Sequence, residues 1–207
     1  DVDTDAAVVA HGAGNILLSA EGVGTDLIAE ANADIASTTG HITLLAAQTI
    51  DLSADVDVST TGSGTLDLDA GTGDLTMAAD ATLNTVDGDI RLRAGDATAD
   101  SITLGDLFAT NADVSIVTPG SVLDTADADN EVEALSLRID AGVGVGLLGT
   151  TADSIETAVD TLSVIVRGSA GINILEDDAL TVGDTAAITV QTVGTDAGGT
   201  ENVEQTQ

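Results

Sequence analysis

The chain has no cysteine, tryptophan, tyrosine or lysine, and only one proline, one methionine and one phenylalanine among its 207 residues. Each absence excludes something. Without cysteine there is neither a disulfide framework nor a thiolate metal site. Phe108 is the sole aromatic, so the large planar side chains that dominate ordinary cores are missing. So are the aromatic platforms on which sugar-binding sites are usually built. Four arginines face 36 acidic residues, a formal net charge of −32. Nucleic acid and anionic membranes both need a positive surface, which this composition excludes. No apolar run approaches the roughly 18 residues of a spanning helix, so no membrane insertion is expected. No signal peptide opens the chain, and Asp1 standing where an initiator Met would be leads us to expect a processed chain or a portion of a longer one.

What is present is a narrow palette. Hydrophobic residues make up 43% of the chain, nearly all of them Ala, Val, Ile and Leu. Short and branched aliphatics suit a thin, regular interior in which the same side chains stack layer upon layer. An I-x-L-x-A pattern recurs as Ile16/Leu18/Ala20, Ile42/Leu44/Ala46, Leu66/Leu68/Ala70 and Ile90/Leu92/Ala94, at intervals of 26, 24 and 24 residues. Gly14, Gly40, Gly64 and Gly88 precede these anchors. A second run follows in each period (Ile50/Leu52/Ala54, Leu75/Met77/Ala79, Ile102/Leu104), and a third closes it (Ala33/Ile35, Val56/Val58, Leu83, Val114/Ile116). Apolar residues two apart, in short runs punctuated by Gly and Asx and rich in Thr, Val and Ile, specify half-buried strands and argue against helix. Three short strands per period describe one turn of a triangular parallel β-solenoid, an all-β fold of about 24–27 residues per turn.

The second half continues with looser loops. There Leu135–Ile139 aligns with Leu162–Val166 at an interval of 27, and Ile188-Thr189-Val190 falls 26 residues after Leu162. The expected organisation is therefore one continuous rod: regular turns over 1–118, turns with longer loops over 119–193, and a linker or incomplete turn over 194–207. Roughly eight turns at about 4.8 Å per layer make a rod on the order of 40 Å long. Neither terminus carries an amphipathic capping helix, so its ends are expected to meet neighbouring repeats of the same protein or other copies.

The runs Gly14–Ala20 (GNILLSA), Gly40–Met77 and Gly171–Gly183 (GINILEDDALTVG) resemble the repeats of giant bacterial surface exoproteins of the filamentous-haemagglutinin and large-adhesin type. The resemblance covers nearly the whole chain. It implies a right-handed β-helix at the cell surface, serving in adhesion, biofilm matrix or surface filaments, with self-association and cell-surface glycans as partners.

Candidates for chemistry are few. Gly144-x-Gly146-x-x-Gly149 matches a dinucleotide fingerprint, but such a site needs a helix after the glycines and Thr150 onward gives no helical run. His11 and His41 are the only imidazoles. His41 occupies the turn position that Asn15, Thr65 and Asp89 fill in sister repeats, which makes it a solvated turn residue. No triad or Schiff-base candidate exists, and no catalytic or cofactor-binding residue is assigned; we expect no enzyme. Oxygen-rich turns at Gly73-Asp74, Asp87-Gly88-Asp89, Asp127–Glu131 and Asp177-Asp178 could supply hard ligands to structural calcium, although none matches a known spacing. The leading expectation is an extracellular structural and adhesive rod. A cation- or glycan-binding module on the acidic loops is the alternative, and a polysaccharide-degrading β-helix enzyme the remote one. Finally, Asp67 and Arg91 hold one outward position on successive turns, as do Asp69 and Arg93, so two solvent-exposed ion pairs are expected.

Overall fold

Alternation of aliphatic and polar residues with a period near 25 leaves each strand one buried side, and stacking successive turns in parallel is what covers it. The computed structural model describes residues 1–125, 129–149 and 153–204, and among them there are strands and no helix. It is a parallel β-solenoid of about seven turns. The first face is an eight-stranded parallel sheet running from Val2–Thr4 through Leu27–Ala29, Ile50–Leu52 and Leu75–Met77 to Gly171–Ile172. The second begins Val8–Ala10, Ile35–Ser37, Asp57–Thr60 and Thr82–Thr85; the third begins Ile16–Ala20, Ile42–Ala46, Leu66–Ala70 and Ile90–Ala94. These two merge into one sheet where the strands Asp106–Thr118, Val132–Ala141 and Ile155–Val166 round the corner unbroken.

The interior follows the expected columns. Ile16, Ile42, Leu66 and Ile90 are register partners in sequence, and Leu18, Leu44, Leu68 and Leu92 form the adjacent column. Leu44, Leu68 and Leu92 are fully buried. Glycines 14, 40, 64 and 88 stack at one inner corner, where the chain passes close to the turn beneath. A Cβ built on Gly64 would stand 2.1 Å from the Gly40 carbonyl oxygen, and one on Gly88 only 1.9 Å from that of Gly64. Backbone approach, and no need for a left-handed conformation, is what requires glycine there.

Several alignments of the second half are corrected. Val114 and Ile116 pair with Ile90 and Leu92, so they continue the first column and not the third run, whose successor to Leu83 is Leu107. Leu162 pairs with Leu137, not Leu135. Leu135 lies at the corner that the long strand rounds and is 43% exposed. A corner residue has no inward side, and period alone cannot reveal it. The segment at Ile188 is not a turn of the rod: Val182 is the partner of Leu162, and Ile188–Val193 pairs antiparallel with Gly199–Glu204. Residues 188–204 thus form a hairpin where a further rung and a linker were expected.

That hairpin lies across the outside of the third face. Thr189 N–H donates to Asp89 Oδ2 (2.8 Å), Gln191 N–H to Thr65 Oγ1 (2.9 Å) and Val193 N–H to Thr43 Oγ1 (2.8 Å), while Thr192 Oγ1 donates to Asp67. Its tip reaches the first turn, where Asn15 Nδ2 donates to the Ala197 carbonyl (2.9 Å). Ile188, Val190 and Val193 are buried beneath it. The expected arginine pairs both form, Arg91 Nη2 to Asp67 Oδ1 at 2.8 Å and Arg93 Nη1 to Asp69 Oδ2 at 3.1 Å. Only the second is solvent-exposed. The hairpin covers the first, leaving its side chains 8% and 0% accessible.

Candidate functional site

Each corner of a solenoid presents backbone N–H groups that the sheets do not use, and short oxygen-bearing side chains can accept them. At the corner before the third face, Asn15 Oδ1 accepts from His41 N–H (2.8 Å), His41 Nδ1 from Thr65 N–H (3.1 Å) and Asp89 Oδ1 from Asp113 N–H (3.1 Å). Before the first face, Asp26 accepts from Thr49 N–H (3.0 Å) and Asp74 from Ser101 N–H (2.6 Å). Before the second, Asp34 accepts from Asp57 N–H (3.1 Å). Much of the acidity is therefore structural: a carboxylate on one turn ties down an amide of the next.

The same corner before the second face continues through Asp106 to Glu131 and Glu156, since Leu107, Val132 and Thr157 are consecutive register partners. Here the side chains are longer and the environment changes. Glu131 is 1% and Glu156 7% exposed. Glu131 Oε2 accepts from Glu156 N–H (2.5 Å), and Glu156 Oε1 accepts from Ser154 Oγ (2.7 Å). Each keeps one oxygen, Glu131 Oε1 and Glu156 Oε2, that is buried with no hydrogen-bond partner among the described residues. Asp124, just past the strand Ser121–Leu123, brings a third carboxylate, and one oxygen from each of the three lies within 4.8 Å of the others. Burial, reinforced by the neighbouring negative charges of Asp124 and Glu156, pushes the Glu131 carboxyl up to about 9 against the opposing hydrogen bond from Glu156 N–H. Beside the triad opens an acidic cleft of about 470 Å³ lined by Asp106, Asp129, Glu133, Glu156 and Asp177. Three carboxylates without nitrogen or sulfur form a hard donor set, suited to Ca²⁺ or Mg²⁺.

The sequence candidates distribute as follows. Asp74 and Asp89 are corner acceptors, and Asp87 accepts from Asn111 Nδ2 (3.0 Å). Of the turn Asp127–Glu131, Asp127 and Ala128 lie outside the described residues, Asp129 lines the cleft, and Glu131 is in the triad. Asp177 lines the same cleft; Asp178 does not. Gly144 begins a short strand, and after Gly149 the next described element is the strand Ile155–Val166, so among the described residues no helix follows the glycines. His11 is exposed, whereas His41 is a half-buried corner acceptor whose pKa burial lowers, more than the solvated turn residue expected. Sequence reasoning missed Asp124 and Glu156, which are 32 residues apart. The one signal was the alternation Ile155-Glu156-Thr157, in which a glutamate stands at a corner position. The chain matches no protein family, no curated protein and no solved structure.

Proposed function

We propose that this chain is a structural and adhesive segment of an extracellular surface protein or fibre, with the rod itself as the working part. The observation that carries the reading is the unbroken register of one interior column, Ile16, Ile42, Leu66, Ile90, Val114, Leu137 and Leu162, through seven successive turns of the third face. A stack of this kind gains length by adding identical layers, and each layer buries the one before it, which suits a stiff spacer or fibre. The excess of acidic residues, 36 against four arginines, keeps such a rod soluble and repels unspecific neighbours. At the last turn, Ile172, Leu175 and Val182 are exposed at 45%, 54% and 77%, an apolar edge that suits association with neighbouring repeats or another copy. A second reading, a cation- or glycan-binding module, is favoured by the acidic cleft. Negative-stain microscopy of the native material, with antibody labelling of intact producing cells, tests the proposal. Surface-exposed, long, uniform fibres or rods are expected. Discrete particles confined inside the cell, or saccharide-cleaving activity in the purified protein, would overturn it.

A further inference from the structure

Two glutamates buried with one bare oxygen apiece are costly for the rod to keep, because a desolvated carboxyl needs a compensating cation, a proton or a full set of donors. At earlier turns of the same corner the chain solves this cheaply. Asp34 and Asp57 are short and lie toward solvent, and each engages the next turn through a single oxygen. Glu131 and Glu156 keep that tie to the backbone or to Ser154, but their second oxygens are buried with no hydrogen-bond partner among the described residues, and one oxygen of each glutamate lies within 4.8 Å of one from Asp124. We propose that Asp124, Glu131 and Glu156 hold one Ca²⁺ ion that clamps the turns carrying Val132–Ala141 and Ile155–Val166 together.

The donor set and its dimensions fit. Calcium binds oxygen at about 2.3–2.6 Å with six to eight ligands, so ligand atoms on opposite sides of one ion stand about 5 Å apart, and the three oxygens here lie within 4.8 Å. Three carboxylates supply more than the charge of one divalent ion, and water from the adjoining cleft completes the shell. Glu156 lines both the triad and the cleft, which places the opening of the site at that side chain. Asp106, Asp129, Glu133 and Asp177 around the mouth raise the local cation concentration. Most of the other carboxylates described above are already bonded to backbone amides or arginines. Glu131 and Glu156 instead each keep a buried oxygen with no hydrogen-bond partner among the described residues, and they converge with Asp124. The inference is independent of the adhesive reading, since an ion clamp would serve a rod of any purpose.

The test uses the whole chain, stripped with EDTA and titrated calorimetrically with CaCl₂ and, separately, MgCl₂ in 0.15 M NaCl. Unfolding is followed by circular dichroism, since the chain has no Trp or Tyr. Saturable binding of one Ca²⁺ with a rise in Tm is expected. In Glu131→Gln and Glu156→Gln, binding should weaken at least about tenfold and the Ca²⁺-dependent rise in Tm should vanish. In EDTA both variants should melt at or above the wild-type temperature, because an isosteric amide replaces a buried carboxyl that lacks a compensating charge; that result separates loss of the site from loss of the fold. Asp3→Asn, on a distant exposed strand, should bind as wild type. Absence of one-site binding in the wild type overturns the proposal. So does retention of full binding in both glutamine variants, which would mark diffuse attraction to the acidic surface. Tighter one-site binding of Mg²⁺ than of Ca²⁺ would overturn the choice of ion.

Discussion

Arg91 and Arg93 show how little a residue's own chemistry decides about its energetic weight. Both sit above an aspartate one turn away, with comparable distances of 2.8 and 3.1 Å. Their surroundings differ: the hairpin removes Asp67 from water, while Asp69 and Arg93 remain 27% and 47% accessible. Arg93→Ala should therefore cost about 0.2–1 kcal/mol. Arg91→Ala strands a buried carboxylate and should cost about 3–5 kcal/mol; urea unfolding of the two variants measures the contrast. His41 offers a pH test of the corner acceptors. Its Nδ1 accepts the Thr65 N–H, so it must be unprotonated there, and burial lowers its pKa below the ordinary 6.5. Above about pH 6.5 the imidazole is neutral whether folded or unfolded, and its contribution is fully present. Below that the unfolded chain takes the proton first, and the contribution is lost as pH falls toward the folded value. Acidification also relieves the carboxylate repulsion, so the informative quantity is a difference. Between pH 7.5 and 5.5, wild type should lose stability relative to His41→Asn, which keeps an acceptor and cannot titrate. Parallel stability-versus-pH curves for the two would refute the role.

Elements of this chain differ in what holds them. A rung is bonded to the turns above and below it and buries its inward side chains completely, as at Leu66 and Leu68. The hairpin Ile188–Glu204 has its own antiparallel ladder, three buried aliphatic side chains outside the interior cluster of the rod, and a set of bonds to outward side chains, Thr43, Thr65, Asp67 and Asp89 among them. A two-stranded hairpin is marginal alone, and an element with few cooperative contacts opens first. Native-state hydrogen exchange should thus show the amides of residues 188–193 exchanging well before those of Leu66–Ala70. Equal protection in the two segments would mean that the hairpin and the rod unfold as one unit. Truncation before Ile188 should leave the strand signal by circular dichroism largely intact, since the interior columns do not include the hairpin.

Across the whole molecule a net charge of −32 sits on a body with no cationic patch to match it. The four arginines are each paired with an aspartate, including Arg138 and Arg167 with Asp140. Lateral association of such rods is opposed by repulsion that reaches about 10 Å at 0.1 M salt and about 3 Å at 1 M. Light scattering should accordingly report monodisperse rods at low ionic strength and growing association as NaCl rises toward 1 M, with circular dichroism unchanged. Loss of strand signal at low salt would instead show that repulsion within the rod, between stacked carboxylates, is the weaker point.

The sequence by itself determined the strand type, the parallel stacking and the interior columns of the first four turns, because those depend on a strict alternation that a one-residue slip would turn inside out. It also placed Asp67 under Arg91 and Asp69 under Arg93. Where the chain rounds a corner without a break, as at Leu135, alternation is interrupted and the period no longer counts turns. The register of the second half was accordingly legible only in the fold. The hairpin was hidden for a related reason. Ile188-Thr189-Val190 has the alternation of a rung, and whether it joins the stack or lies across it is decided by the outward residues of turns about 100 to 150 positions earlier. The acidic triad depends on tertiary structure in the same way. Carboxylates are common in this chain, 36 in all, and only the burial of Glu131 and Glu156, a turn apart and facing Asp124, distinguishes these from the carboxylates that do no more than hold the corners.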